Sequence, residues 1–296
     1  MANDTLVQLT ENTWVITGPT NVGLVERNSE VYLIDSGNDK EAGRRIRKVL
    51  DEKGWRLKAI INTHSNADHI GANDYLQRLT GCEIWATPAE RAFIEYPKFE
   101  PAFLWSSFPV KELNSKFFEA KPSKVTNLIE ADTDTIAGDL EVVRLPGHFF
   151  GMIGIMTPDR VLFLGDCMFG EKVLEKYKIP FIYDVAGYRE TIGKVQKIDA
   201  DHYIVSHGDP QTDIDAMAEA NLALVDAVES FILKTLEREM TDGEAVKAVC
   251  DHYQITLDYG QYALVGTTVR SFLSYLYTTS RLSYEFRENR LYWKRI

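Results

Sequence analysis

Residues 63–69 constrain the fold of this chain more than any other segment. They place four potential metal ligands within six positions: His64, Asn66, Asp68 and His69. The apolar run at residues 59–61 just before them is typical of a short buried strand. A strand end that delivers imidazoles and a carboxylate into one loop is a common way to build a catalytic metal site. The segment therefore predicts a buried strand that ends at a metal-binding loop.

Three further candidate ligands follow apolar runs later in the chain. His148, Asp166 and His207 each come within three residues of the end of a segment that predicts a strand. Because every one of them lies where a strand ends, we expect them to meet the first loop at one edge of the sheets. Histidines and aspartates converging in this way are what a two-metal hydrolytic site requires.

The distribution of predicted strands and helices indicates the fold class. In the first part we expect strands at residues 13–17, 22–26, 31–34, 59–61 and 83–86, and helices at residues 40–53 and 72–79. A second block predicts strands at residues 125–129, 133–136, 140–145, 153–156, 161–164 and 203–205, and a helix at residues 188–198. Two blocks of similar make-up predict an α+β fold with two facing sheets and helices outside, a four-layer αββα sandwich.

Residues 97–122 lack periodicity and are rich in aromatic side chains, including Trp105. A long irregular stretch inside a compact domain is often functional. We interpret it as a lid or pocket wall. The alternative is a hydrophobic cluster that seals an edge of the core.

The character of the chain changes after Gly208. Residues 214–240 and 265–277 predict helices, and residues 282–286 and 291–293 predict a β-hairpin around a polar turn. Helices followed by a terminal hairpin are similar to a winged helix. We therefore predict two domains, residues 1–210 and residues 211–296.

Composition narrows the possible partners and the cellular compartment. The net charge of −11 over 296 residues argues against coating of nucleic acid, which needs clustered cations. No apolar run is long enough to span a bilayer, and the polar start lacks the apolar core of a secretory signal. Three widely spaced cysteines do not form a disulfide framework. We expect a cytoplasmic protein without membrane or nucleic-acid partners.

Five short motifs occur in order on the predicted strand ends. They are Asp35-Ser36-Gly37, Thr63-His64-x-x-x-Asp68-His69-x-Gly71, Pro146-Gly147-His148, Gly165-Asp166 and Ser206-His207-Gly208. Each motif alone is weak, but their order and context together resemble the metallo-β-lactamase superfamily over residues 5–210.

The resemblance implies a set of ligands and roles. One or two zinc ions are expected, although iron or manganese also suits a His/Asp site. The first ion would be held by His64, Asn66 and His148, and the second by Asp68, His69 and His207, with Asp166 between them. Asp68 would also orient the attacking water and is the catalytic residue. Asp35 would support a ligand, although a turn-forming aspartate explains that position almost as well.

Asn66 departs from the resembling pattern, which has histidine at this position. An amide oxygen is neutral and a weaker zinc donor than imidazole. Asn66 could bind the metal through this oxygen, or the first position could fill only when substrate arrives. The third alternative is that the centre has lost catalysis, which we rank last because the other six ligand positions are intact.

Phe149 and Phe150 follow the candidate ligand His148 directly. Together with Trp105 they suggest a pocket for an apolar or aromatic acyl group. The alternative, of equal weight, is that they cap the sandwich core.

Three functions follow from these observations. The first is a hydrolase of esters, thioesters or lactones of a small molecule, similar to hydroxyacylglutathione hydrolases and lactonases. The second is a nuclease similar to the β-lactamase-like protein 2 group, against which residues 211–296 carry 9 basic and 13 acidic side chains. The third is a non-catalytic binding protein. The tail would shape one side of the pocket or form a homodimer contact.

Overall fold

Two β-sheets face each other at the centre of the molecule, and helices cover both outer faces. The computed structural model describes residues 5–296, so the first four residues of the polar start lie outside it. The four-layer αββα sandwich and the mixed α and β content predicted from the sequence are confirmed.

The first sheet has seven strands in sequence order. The first four strands form an antiparallel meander, and the fourth to seventh strands run parallel to one another. The strands are β1 (Thr5–Gln8), β2 (Thr13–Thr17), β3 (Val22–Arg27), β4 (Glu30–Ile34), β5 (Arg56–Ile61), β6 (Glu83–Ala86) and β7 (Asn127–Leu128).

Helices cover the outer face of this sheet and continue along one edge. The helix α1 (Lys40–Lys53) begins at Asp39, whose side chain accepts two backbone N–H groups, and ends at Gly54 in a left-handed conformation. Its Ile46 and Leu50 pack against the sheet. The others are α2 (Ala67–Ile70), α3 (Asn73–Thr80), α4 (Pro88–Glu95), α5 (Phe99–Trp105) and the 3-10 helix Lys111–Leu113.

The second sheet has five strands in the order β12-β11-β10-β9-β8, and only β11 and β12 run parallel. The strands are β8 (Thr135–Ile136), β9 (Leu140–Arg144), β10 (Ile153–Met156), β11 (Val161–Gly165) and β12 (His202–Val205). Two helices lie between β11 and β12 in the chain, α6 (Glu171–Tyr177) and α7 (Val185–Val195).

The inner faces of the two sheets form one buried core. Ile34 and Ile61 of the first sheet pack in the same cluster as Ile155 and Phe163 of the second. The ring of Phe163 lies against Gly23, where an added Cβ would be 2.4 Å from it. Only glycine fits at this point, because packed interiors leave no space for another carbon.

The C-terminal region packs on the second sheet. It contains α8 (Asp215–Thr235), α9 (Asp242–Tyr253), α10 (Tyr259–Thr278) and a hairpin of β13 (Leu282–Arg287) and β14 (Arg290–Arg295). One hydrophobic cluster joins Leu164 and Val205 of the sandwich to Val228 and Val269 of these helices. The core therefore runs across residue 210, and the two-domain division and the winged-helix likeness stay predictions.

Several elements differ from the sequence prediction. The strand expected at residues 125–129 is shortened to β7 and pairs in parallel with β6, so it belongs to the first sheet. The irregular stretch contains α5, in which Pro101 lies in the first turn, where its missing N–H costs nothing. The helix expected to reach residue 240 ends at Thr235. Within residues 5–296, no helix combines the length and apolar character needed to cross a membrane.

Candidate metal centre

The predicted ligands come together at one edge of the sandwich, where strands of both sheets end. The loop after β5 carries His64, Asp68 and His69, while His148 lies beyond β9, Asp166 directly follows β11 and His207 follows β12. The potential ligand atoms form two groups, and within each group they lie within 4.8 Å of one another. The groups are His64 with His148 and Asp166, and Asp68 with His69 and His207.

Asp166 belongs to the first group and also lies close to the second. Its Oδ1 is 3.3 Å from Nε2 of His69, and its Oδ2 is 3.3 Å from Nε2 of His207 and 3.7 Å from Nε2 of His148. Asp68 lies on the other side of His207, with Oδ2 at 3.1 Å from the same Nε2. One carboxylate thus reaches both groups, as the resemblance implied.

Three of the four imidazoles donate their Nδ1 hydrogen to protein oxygens. His69 donates to Oδ2 of Asp35 at 2.8 Å, His148 to the carbonyl of Phe181 at 3.0 Å, and His207 to the carbonyl of Pro19 at 2.7 Å. These bonds fix the tautomer of the neutral imidazoles, in which each Nε2 has a lone pair facing the cluster.

His64 is oriented through a relay to the same aspartate. Thr63 Oγ1 donates to Oδ2 of Asp35 at 2.7 Å, so it accepts at 3.0 Å from Nδ1 of His64. Asp35 also accepts the backbone N–H of Thr63 and adopts a left-handed φ of 62°. Asp35 therefore orients two imidazoles, and its role as the support of a metal ligand stays a prediction.

Unpartnered atoms test whether these residues fit a cation. Nε2 of His64, Nε2 of His69 and Oδ1 of Asp166 are buried and make no hydrogen bond, although the last two lie 3.3 Å apart. Buried polar atoms without partners are costly and call for an explanation such as an ion. All three are metal-ligand atoms that face one cluster, so the residues fit a bound divalent cation.

Burial and neighbouring charges shift the pKa values of the candidate ligands in different directions. Burial lowers the pKa of His64 and of His148, which keeps both imidazoles neutral. For His69 and His207, the nearby carboxylates outweigh burial and raise the pKa well above its usual value. Those imidazoles in turn lower the pKa of Asp166, although burial opposes this. A cation that binds here competes with the protons on its ligands.

Asn66 lies inside this arrangement. Its Oδ1 is 3.0 Å from Nε2 of His148, and its Nδ2 donates to Oε1 of Glu100 at 2.8 Å. The side chain caps no backbone N–H at the start of α2. Its carbonyl oxygen therefore points toward the first group of ligands.

Comparison with known proteins agrees with this geometry. The sequence model of the metallo-beta-lactamase superfamily matches residues 15–207, more than half of the chain. The chain belongs to this superfamily. The match begins in β2 and ends at His207, so it contains every candidate ligand.

Curated relatives of the superfamily are similar over part of their length. The hydroxyacylglutathione hydrolase GloC of Haemophilus influenzae is 27% identical over 49% of this chain and 63% of its own. The hydroxyacylglutathione hydrolase of Methylobacillus flagellatus is 28% identical, over 50% and 47%. The chain thus spans less than two thirds of these relatives. The probable metallo-hydrolase YflN of Bacillus subtilis is 25% identical, over 65% and 81%.

Two solved structures of this superfamily share the whole architecture. A metallo-beta-lactamase family protein from Thermus thermophilus has a TM-score of 0.77 at 19% identity, covering 98% of this chain and all of that one. A beta-lactamase domain protein from Burkholderia ambifaria has a TM-score of 0.76 at 18% identity, covering 100% and 94%. At these identities the likeness concerns the fold, and it extends over the C-terminal helices.

Two buried carboxylates lie beside the candidate ligand loops and were not predicted from the sequence. Glu90 of α4 accepts from Ser65 Oγ at 2.5 Å and from the N–H of Gly151 at 2.6 Å. Glu100 of α5 holds Asn66. Glu100 is the one charged residue in the apolar and aromatic α5, whereas Glu90 lies among other charged residues of α4 and gave no signal.

Both carboxylates have perturbed protonation. Burial raises the pKa of Glu90 to about 7. Burial and the negative charge of Asp68 raise the pKa of Glu100 well above its usual value. A cation beside Asn66 acts in the opposite direction on Glu100, because its positive charge favours the carboxylate.

The predicted pocket residues occupy different positions. Phe149 is buried with its ring 6.2 Å from that of His64, whereas Phe150 is 38% exposed and packs at 4.4 Å against Tyr183. The ring of Phe103, on α5, lies 5.1 Å from that of Phe150. These rings form an open aromatic wall next to the candidate ligand His148, which directly precedes Phe149 in the chain.

Trp105 lies apart from this wall. Its ring packs at 6.1 Å against Tyr259 and at 6.1 Å against Tyr262. Both tyrosines belong to α10, so Trp105 joins α5 to the C-terminal region. Its assignment to the substrate pocket stays a prediction.

The C-terminal helices hold two of the ligand-bearing loops. Thr268 of α10 accepts the backbone N–H of Ile182, next to Phe181, whose carbonyl orients His148. Asn221 of α8 accepts the N–H of Phe169 and donates to its carbonyl, three residues beyond Asp166. The tail therefore helps to set the geometry of the centre.

Proposed function

We propose that this protein is a metal-dependent hydrolase of an ester, thioester or lactone with a partly apolar acyl group. One observation carries the proposal: two His/Asp groups share Asp166 and leave buried ligand atoms without partners. Superfamily membership implies a divalent metal, and the donor atoms fit one.

The chain offers seven side chains to the metals. We assign His64, Asn66 and His148 to the first ion, Asp68, His69 and His207 to the second, and Asp166 to both. Zinc suits imidazole and carboxylate ligands, and iron or manganese suits the same donors. A divalent metal bound here supplies Lewis acidity and lowers the pKa of water.

Asp68 is placed to orient the attacking water. Its Oδ2 accepts from Thr20 Oγ1 at 3.2 Å and lies 3.1 Å from His207. Burial raises its pKa, but His69 and His207 outweigh this effect and hold the pKa well below its usual value. The carboxylate is therefore ionised, and its partial exposure lets water reach it.

The aromatic wall indicates which class of substrate the site accepts. Phe150 and Tyr183 are partly exposed beside His148, whereas Phe149 closes the core behind them. Exposed aromatic rings next to a polar centre suit an apolar or aromatic acyl group. The relatives named hydroxyacylglutathione hydrolase support a thioester as one substrate class.

The tail gives little support for a nuclease. Three arginines of the C-terminal region form ion pairs with neighbouring carboxylates: Arg281 with Glu229, Arg287 with Glu239 and Arg295 with Glu237. Paired arginines are less available to phosphates. The cytoplasmic location and the homodimer contact stay predictions. The three cysteines are buried and unpaired, which fits a reducing compartment.

The test combines metal analysis with a substrate panel. Protein stripped by a chelator is reloaded with zinc, iron or manganese and assayed on p-nitrophenyl esters of short and long acyl chains, a thioester and a lactone. We expect metal-dependent turnover, and Phe150→Ala should raise KM for long acyl chains but not for acetate. Phe286→Ala, at an exposed position on the hairpin, is the matched control. A metal-loaded protein inactive on the whole panel would contradict the proposal.

A second variant tests the assignment of Asn66. Asn66→His replaces the amide oxygen by an imidazole nitrogen, a stronger zinc donor. We expect the variant to bind more metal and to change its activity. An unaltered metal content would show that the assignment of Asn66 is wrong.

A further inference from the structure

We propose that Glu100 is a positioning residue that fixes the amide of Asn66 with its oxygen toward the first metal. The inference rests on the proposed ligand set and adds a residue from α5 that hydrogen-bonds to Asn66. It explains how the amide oxygen of Asn66, a weaker metal ligand than an imidazole, can serve at this position.

The orientation follows from what each atom can do. An ionised carboxylate, the form of Glu100 that a cation beside Asn66 favours, only accepts hydrogen bonds, whereas an amide presents donors on its nitrogen and lone pairs on its oxygen. Because Oε1 of Glu100 lies 2.8 Å from Asn66 Nδ2, the amide nitrogen faces Glu100. The amide oxygen then faces His148 at 3.0 Å.

This orientation places two lone pairs against each other. His148 donates its Nδ1 hydrogen to Phe181, so its Nε2 is an acceptor, as is Oδ1 of Asn66. Two acceptors 3.0 Å apart repel unless a positive charge lies between or beside them. Glu100 thus prevents the amide flip that would satisfy His148, and it favours cation binding instead.

Glu100 is itself rigidly held. Its side chain is only 5% exposed, and the backbone N–H of Ala67 also donates to it. Along the same helix, Leu104 packs in a cluster with Leu113 and with Ala263 of α10. A buried carboxylate on a helix that packs against other elements is an effective support for a ligand.

The test is a double-mutant cycle on cation affinity. Zinc and manganese binding to the chelator-stripped protein is measured by competition with a chromophoric chelator for the wild type, Glu100→Gln, Asn66→Ala and the double variant. Loss of a residue that supports a metal ligand typically lowers metal affinity about 10- to 100-fold. We expect this loss in Glu100→Gln and no additional loss when Asn66 is already alanine.

The controls separate the outcomes. Glu229 is a buried carboxylate far along the chain, so Glu229→Gln should leave cation affinity unchanged. An unchanged affinity in Glu100→Gln, or an equal loss in the Asn66→Ala background, would overturn the inference. If Glu100→Gln does not fold, Glu100→Asp replaces it, since a side chain one methylene shorter withdraws from Asn66. The cycle does not use turnover, so it can succeed even if the hydrolase proposal fails.

Discussion

Glu90 makes the stability of this protein depend on pH in a direction that can be calculated. The fully buried carboxyl joins Ser65 of one ligand loop to Gly151 of another. Burial raises its pKa from 4.5 to about 7. Between these values the folded state keeps the proton that the unfolded state releases. The stabilisation is therefore complete below pH 4.5 and is lost as pH rises to about 7.

The magnitude follows from the same two values. A rise from 4.5 to about 7 is about 2.5 pH units, and each unit is worth about 1.36 kcal/mol, which gives about 3 kcal/mol. Glu90→Gln removes this dependence and keeps the shape of the protonated acid. Its oxygen can accept from Gly151 while its amide donates to Ser65. We expect the variant to match the wild type near pH 4.5 and to exceed it by about 3 kcal/mol at pH 8.

The assay is urea unfolding of chelator-stripped protein between pH 4.5 and 8, followed by tryptophan fluorescence. The histidines of the metal centre titrate in both proteins, so their contribution cancels in the difference. Glu95→Gln on the same helix, where Glu95 pairs with Arg91, controls for removal of one negative charge from α4. A difference between wild type and Glu90→Gln that stays constant across this range would refute the reasoning.

Two further predictions concern residues that hold the centre in place. Asp35→Asn should lower zinc affinity about 10- to 100-fold in chelator competition, because an amide NH₂ facing Nδ1 of His69 disfavours the metal-binding tautomer; an unchanged affinity would rule out the supporting role. Asn221→Ala should lower the free energy of unfolding by about 3 kcal/mol, since it leaves Phe169 backbone groups and the Tyr188 hydroxyl unpaired. Urea unfolding at constant pH checks this value, and a loss below about 1 kcal/mol would contradict it.

The ligand loops were predictable because their signal is local. Asp68, His148 and His207 each follow an apolar run, and the ends of strands in facing sheets meet at one edge. Burial and strand direction thus place polar side chains that lie far apart in the chain. The same reasoning gave the four layers and the C-terminal hairpin.

The supporting contacts were not predictable, because no local pattern encodes them. Asn66 meets Glu100, 34 residues later, only because α5 forms within the aromatic stretch, and α5 was not predicted. The position of β7 in the first sheet depends on pairing with β6, which is a tertiary choice rather than a propensity. Residue-by-residue chemistry therefore identified the candidate ligands and Asp35, but not Glu90 or Glu100.

The hydrogen bond from Ile182 to Thr268 has a consequence for protein engineering. Anyone who transplants the sandwich without its terminal helices also removes the anchor of the carbonyl that orients His148. Substitutions on α10 should accordingly change metal retention at a distance, even where they touch no substrate. A library that aims to alter selectivity should treat this helix as part of the catalytic framework rather than as an accessory.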